Sequence, residues 1–415
     1  MGDLSALTAA RQALRDGLAK AEAALEAAAA ATSPPRPACS DAAPIDPPGP
    51  ATVVEVEQAV FTSIRSPMGS GYRIVAASGG LPSEARRQIT LRCPSHGNLC
   101  SSAAEAAGFM SFAAETGVRC VALSCFAGRE HTARGGERVH THVAILTEEA
   151  FALFGCHAAA VAEAIRRSGA ERPAATTPER LPRLKLIATE GRGGHESCGA
   201  ATEREAIRAA AGLLLAGQAT ALCGIENAAN AAARVLDLLP AAARLRVELS
   251  CGVKFAPQRR LNFVCVEQPR EEAARTLGGP AMTLLDGSRP QSSAEPASHD
   301  EWLRFAERSK REGRQSALET LCRRITEHDA AEVLSQIAAV SEAIHRAPTA
   351  DRAALEELAA ATRTAARGAL ARELQESLRR ALARRDGELT RAEQAALAAA
   401  AADKAANDSQ SRASA

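Results

Sequence analysis

Aromatic side chains make up only 3% of the 415 residues, and Trp302 and Tyr72 each stand alone. Proteins that hold single-stranded nucleic acid usually stack its bases on aromatic faces, so a dedicated nucleic-acid binder is not expected. Neither sign of charge is in excess, with 50 Lys and Arg against 49 Asp and Glu, and no overall field points to a nucleic acid or a membrane surface. Lysine is scarce, confined to Lys20, Lys185, Lys254, Lys310 and Lys404. Together with the alanine excess, this reflects GC-rich coding more simply than selection for phosphate binding. No run approaches the roughly 18 uncharged apolar residues of a membrane span. The opening stretch, MGDLSALTAARQALRDGL, lacks a basic region followed by an apolar core, so no secretory signal is expected. Cysteine is the exception to this scarcity. Its 11 copies, an odd number without an export signal, read as reduced and mostly buried thiols of a cytoplasmic protein.

What is present divides the chain into six parts. Residues 1–32 read as a helix with Leu4, Leu7, Leu14, Leu18 and Leu25 on a heptad-like stripe, either a short coiled coil able to self-associate or a helix docked on its own domain. Residues 33–50, SPPRPACSDAAPIDPPGP, form a Pro-rich linker. The body, 51–284, alternates between period-2 apolar runs and helical stretches. Strands are expected at 53–64, 71–78, 119–127, 138–147, 183–189, 220–225, 246–255 and 260–268. Helices are expected at 82–91, 148–154, 157–168, 202–216 and 227–238, with an irregular stretch over 92–117. This is an α/β or α+β class with a mixed sheet of about eight strands. A second linker at 285–298 leads to an all-helical C-terminal region at 299–405, with helices at 299–311, 314–327, 329–346, 351–383 and 388–405. A disordered tail is expected over 406–415.

Within the body, VEVEQAVFTSIRSPMGSGYRIVAASGGLPSE (54–84), RGGERVHTHVAILTEEAFALFG (134–155) and LLPAAARLRVELSCGVKFAPQRRLNFVCVEQP (238–269) form a set. Their points of note are Glu57-Gln58, Gly71-Tyr72, Gly80-Leu81, Arg138, Thr141-His142, and Leu239-Pro240 with Arg244. Over residues 53–270 these resemble the N-terminal domain of the bacterial GTPase-associated protein family, found in NTP-dependent conflict systems. The resemblance implies a GTPase or other NTPase as partner and a role coupling a nucleotide switch to effectors. The alanine-rich helical C-terminal third departs from the family's pattern.

Four constellations are candidates for chemistry. Cys93, His96 and Cys100 sit on one polar loop and could supply three ligands to zinc, with Cys120, Cys125, His140 or His142 as a fourth. Their spacing is not that of a paired C-x-x-C knuckle, and an unliganded loop is the simpler reading; no other cofactor is suggested. Arg138-Val-His140-Thr-His142 lies on a strand, where residues two apart share a face, so the imidazoles would be neighbours. The simpler role for His142 is a hydrogen bond to a loop. The stretch around His195 and Cys198 is Gly-rich but carries neither G-K-[ST] nor G-x-G-x-x-G, so the chain is not itself a P-loop GTPase. Leu239-Pro240 and Arg244 read as framework, and Cys223, Cys251 and Cys265 as core. The expected function is a non-enzymatic adaptor that recognises its partner through the loops at 65–70 and 128–137, carrying Arg65, Arg129 and Arg134. The alternative is a metal- or cysteine-dependent hydrolase built on Cys93, His96, His140 and His142.

Overall fold

The computed structural model describes residues 51–66, 69–100, 107–130, 136–173, 178–189, 200–256, 259–277, 282–290, 299–325, 331–360, 363 and 365–413. The leading helix, the linker at 33–50, Arg134 and the His195–Cys198 stretch lie outside them. Eleven strands form one mixed sheet: β1 (Ala51–Ser66), β2 (Gly69–Ser78), β3 (Ala107–Glu115), β4 (Val118–Arg129), β5 (Glu137–Thr147), β6 (Arg180–Leu181), β7 (Leu184–Thr189), β8 (Thr220–Cys223), β9 (Leu249–Cys251), β10 (Phe263–Cys265) and β11 (Thr283–Asp286). Their order is β11-β8-β10-β9-β3-β4-β5-β1-β2-β6, and β7 pairs with the first half of β1. The strands β8 to β11 are mutually parallel. Antiparallel β3 joins them to the hairpin half through β9. Both halves of the body therefore share a sheet.

The expected mixed sheet is present, with more strands than the eight read from the sequence. Strand β3 falls inside the stretch expected to be irregular. Its sequence, AGFMSFAAE, does not alternate, because a central strand covered on both faces needs apolar or small residues at every position. The segment expected as one strand at 246–255 instead ends the helix Ala241–Arg246 and then gives only the three residues of β9. Short parallel strands that end at a crevice carry too few alternations to be read.

Helices cover both faces of the sheet. On one face α1 (Ser83–Arg92) and α7 (Arg270–Leu277) bury Ile89 and Leu277 against Phe61, Phe112 and Val143. On the other lie α2 (Glu148–Leu153), α3 (Ala158–Ser168), α4 (Ala201–Leu215), α5 (Ala228–Asp237) and α6 (Ala241–Arg246). Helix α3 shows why these segments are helical. His157 caps its N-terminus by accepting from Ala160 N, and Gly169 ends it at φ 70°. Between them Ala158, Val161, Ala162 and Ile165 form one buried stripe. Full burial of Ile165 stabilises the fold by about 2 kcal/mol.

The C-terminal helices are α8 (Asp300–Arg311), α9 (Gln315–Arg324), α10 (Ala331–Arg346), α11 (Arg352–Ala360) and α12 (Ala369–Ala413). The helix expected at 351–383 is broken between α11 and α12. Helix α12 then runs unbroken to Ala413 through the expected tail. The region is docked on the body: Trp302 is 0% exposed in the same core cluster as Phe263 and Leu249, and its Nε1 donates to Leu238 O at 2.9 Å. Residues Pro48–Ala415 form one compact unit.

A buried ionic network fastens this junction. Arg244, 2% exposed, donates to Leu236 O at 2.8 Å, to Gly155 O at 2.9 Å, and through both terminal nitrogens to the Glu319 carboxylate at 3.0 Å. Beside it Asp237 accepts from Lys310 at 2.6 Å and lies 3.0 Å from His157 Nε2. Burial alone would raise the carboxyl of Glu319, but Arg244 outweighs it and holds that carboxyl below its ordinary value. Gly155 must be glycine, since it takes φ +64° and a Cβ there would collide with the Glu319 carboxylate. Removing one member of such a pair leaves the other charge buried and unmatched. Glu319→Ala should therefore lower stability by about 3 kcal/mol in urea unfolding. A shift no larger than that of an ordinary surface substitution would show that Glu319 does not balance Arg244.

Candidate functional site

The residues noted at scattered places in the sequence meet in space. Glu57 on β1 accepts from Gly80 N at 3.1 Å in the turn after β2, and from Arg183 Nε at 2.6 Å before β7. Next to it Gln58 points to the opposite face. Its side-chain NH2 donates to Pro182 O at 2.8 Å, so its Oε1 is the atom that meets His142 Nε2 at 2.8 Å. An acceptor there places the proton on His142 Nε2 and leaves Nδ1 a bare lone pair. Tyr72 Oη accepts from Val139 N at 2.9 Å, and Thr141 shares a 2.8 Å hydrogen bond with Ser124. Arg138 donates to Ala127 O across the β4–β5 hairpin.

The imidazoles of His140 and His142 are neighbours on one face of β5, opposite Thr62 and Val60 of β1. Both are buried, and neither His140 Nε2 nor His142 Nδ1 has a hydrogen-bond partner. Burial, reinforced for His142 by His140 and for His140 by Arg138, depresses each to about 4. At neutral pH they are uncharged packing groups.

Strand directions bring several loops to one edge of the sheet. Strands β1 and β4 run out to it and β5 starts from it, so the ends of β1 and β4 lie on the same side of the sheet. Arg65 and Arg129 stand exposed at these tips. The parallel strands β8, β9 and β10 end at the same edge, through the pairing of β9 with β3 and β3 with β4. The loop carrying Cys93, His96 and Cys100 is tied there as well: Leu99 bridges Val253, and Cys100 N donates to Gly252 O at 2.8 Å. His96 Nδ1 lies 2.7 Å from Glu130 Oε1, off the direction of a hydrogen bond, and its ring packs edge-on against Tyr72 at 4.8 Å.

Behind this edge lies a cavity of 510 Å³, outside the carboxyl ends of β8, β9 and β10 and at the start of α5. Crevices at that position are the usual ligand sites of open α/β sheets. Glu171, Glu226 and Glu267 line it against a single cation, Arg166, so it favours a positively charged group. Three thiols, Cys100, Cys125 and Cys251, also face it, and burial raises all three above their ordinary value. A protonated thiol is neither a nucleophile nor a metal ligand.

Residues 55–187 match the family described as GTPase-associated protein 1, N-terminal domain type 2. No curated protein matches the chain. The match runs from Glu55 within β1 to Ile187 within β7, the hairpin half of the sheet with α1 to α3. It is shorter than the 53–270 span of the sequence resemblance and stops before Leu239-Pro240 and Arg244. Every hydrogen bond of the Glu57–Gly80, Gln58–His142 and Tyr72–Val139 set lies inside it.

Within the matched residues the zinc candidates occupy different surroundings. Cys93 is buried at the end of α1, its thiol pushed up to about 12 by burial. His96 is on the surface beside Glu130, Cys100 is half-buried beside Gly252, and His142 is engaged with Gln58. Among the described residues no three His, Cys, Asp or Glu side chains converge as a metal ion would require. The sequence reading did not single out the carboxylates of the cavity. Glu226 and Glu267 each follow the last apolar residues of a short parallel strand, and that recurrence was the available signal.

The buried histidines set a pH dependence with a definite sign. His142 titrates near 6.5 when unfolded and near 4 when folded, so the unfolded chain takes up the proton first as pH falls. The stability gained by keeping the ring neutral is complete above pH 6.5 and is lost progressively down to about pH 4, on the order of 3 kcal/mol for this group. His142→Asn should make the urea midpoint fall less steeply between those limits. An unchanged slope would assign the dependence to other groups.

Proposed function

We propose that this protein is a non-enzymatic adaptor of a GTPase- or NTPase-linked conflict system, recognising its partner with the sheet edge that carries the β1–β2 and β4–β5 hairpin tips. The observation that carries this reading is the match of residues 55–187 to the GTPase-associated family, and the strand ends that lead into the loops at 65–70 and 128–137 lie on one side of the sheet. Arg65 and Arg129 project from that edge with exposed side chains, which favours an acidic partner surface. The state of the side chains supports recognition over catalysis. The thiol of Cys93 is pushed up to about 12 and the two imidazoles are held neutral, so none is an activated nucleophile or a poised base at pH 7. Helix α12 is exposed along its length from 391 to 400, as a tether to other components would be.

The test is recovery of partners from the native cell with a tagged chain, followed by quantitative mass spectrometry. A GTPase or another NTPase at near-stoichiometric amount is expected. The double charge reversal Arg65→Glu with Arg129→Glu should reduce that recovery by at least about tenfold without moving the thermal midpoint. Recovery of the chain alone would reject the adaptor reading. Undiminished recovery with the double variant would move the interface away from this edge.

A further inference from the structure

A second cavity, of 480 Å³, opens between α4, α5 and α8, where the sheet-covering helices meet the C-terminal region. Five cations line it: Arg204 and Arg208 of α4, Arg234 of α5, and Lys310 and Arg311 of α8. They face only two carboxylates, Glu205 and Glu307. The charges are built in, not merely scattered over a surface. Arg234 has a side chain only 8% exposed, and Glu203 holds one of its terminal nitrogens at 2.5 Å. A guanidinium has five N–H donors, so a second acceptor can be taken from the cavity side. Lys310, 16% exposed, is held by Asp237 at 2.6 Å, and an ammonium has three N–H donors. Arg208 and Glu307 stand 3.7 Å apart, an ion pair without a hydrogen bond.

Helix electrostatics explain only part of this arrangement. Lys310 and Arg311 lie in the last turn of α8, where a cation suits the helix dipole. Arg204 and Arg208 of α4 are an i,i+4 pair of like charge and repel each other. An anion beside Arg208 offsets that repulsion. The planar forks of several arginines match the oxygens of a phosphate better than a single carboxylate. The volume lies within the range of small-molecule sites and is larger than one phosphate ion requires, while Ile207 and Leu238 give it an apolar wall.

We propose that this cavity binds a phosphate-bearing small molecule, with Arg208 and Arg234 as the anion's ligands and Lys310 and Arg311 closing over it from α8. Glu307 is the internal competitor. Its carboxyl is raised by burial despite the opposing pull of Arg208, Arg311 and Arg204, so it sits uneasily among the arginines and is displaced when a stronger anion enters. This site is separate from the edge assigned to partner recognition, and its test does not depend on that assignment.

The experiment is calorimetric titration of the full chain at about 50 mM salt, where surface screening is weak, with inorganic phosphate, pyrophosphate, GTP and ATP as separate probes. At least one probe is expected to bind with a Kd of about 100 µM or tighter and to weaken as salt is raised. Pyrophosphate as the tightest probe would define a bare anion site, and a nucleotide as the tightest would identify the organic part. Arg208→Gln combined with Arg311→Gln, both at the exposed rim, should weaken binding at least about tenfold with the thermal midpoint of the unliganded protein unchanged. Glu307→Gln should act in the opposite direction and tighten binding several-fold, a gain that damage to the fold would not produce. Absence of binding by all four probes, or binding that neither variant alters, would overturn the proposal.

Discussion

Arg244 is the side chain on which the assembly of this molecule depends. A guanidinium cannot lose its charge in a protein, so burying it demands acceptors on every side. Two are backbone carbonyls within the body, Leu236 O and Gly155 O; the third is Glu319, on α9. The body alone therefore contains an incompletely matched cation, and docking of the C-terminal helices completes it. The adjacent Asp237 repeats the logic with opposite sign, taking His157 from α3 and Lys310 from α8. Apolar burial supplies most of the driving force, with Trp302 and Leu303 entering the core of the sheet. The ionic groups fix the register, because a helix slid by one turn would still bury leucines but would leave Arg244 and Asp237 without partners.

A second polar set performs the same task inside the matched residues. Strand β1 is long and shared between β7 in its first half and β2 and β5 in its second. Glu57 and Gln58 stand where the partners change and reach out on opposite faces, one to Gly80 and Arg183, the other to Pro182 and His142. They close the places where a strand leaves one ladder for another. That role accounts for both side chains, whose donors and acceptors are committed to Gly80 and Arg183 on one face and to Pro182 and His142 on the other. Carboxylate oxygens without a hydrogen-bond partner lie instead at the edge and in its cavity, on Glu130 and Glu171.

Much of the hairpin half was legible in the sequence. In β5, V-H-T-H-V-A-I-L joins apolar residues to a pair of imidazoles at strand spacing, and both the strand and the shared face of His140 and His142 are as read. The mixed sheet, the helical C-terminal region and the family resemblance were legible too. Strand β3 was not, since burial on both faces removes the alternation by which a strand is recognised. Short β11 was lost because four residues carry too little pattern, and β9 was read too long, over 246–255. Arg244 was read as framework, which is its role, but the sequence does not reveal that its partner lies on α9. Both cavities are lined from elements far apart in the chain, and charges brought together by topology leave no local signature.

Lys310 connects the two electrostatic systems of the molecule. It balances Asp237 in the buried network and also lines the cationic cavity. Arg234 has a similar double position, bonded to Glu203 on α4 while sharing α5 with Asp237. Any anion held between α4 and α8 acts on the same helices that the Arg244 network clamps. Two sites that bias one packed interface are thermodynamically linked, and each must strengthen or weaken the other by the same free energy. The junction between the sheet and the C-terminal helices is thus the element through which a bound anion would be felt elsewhere in the fold.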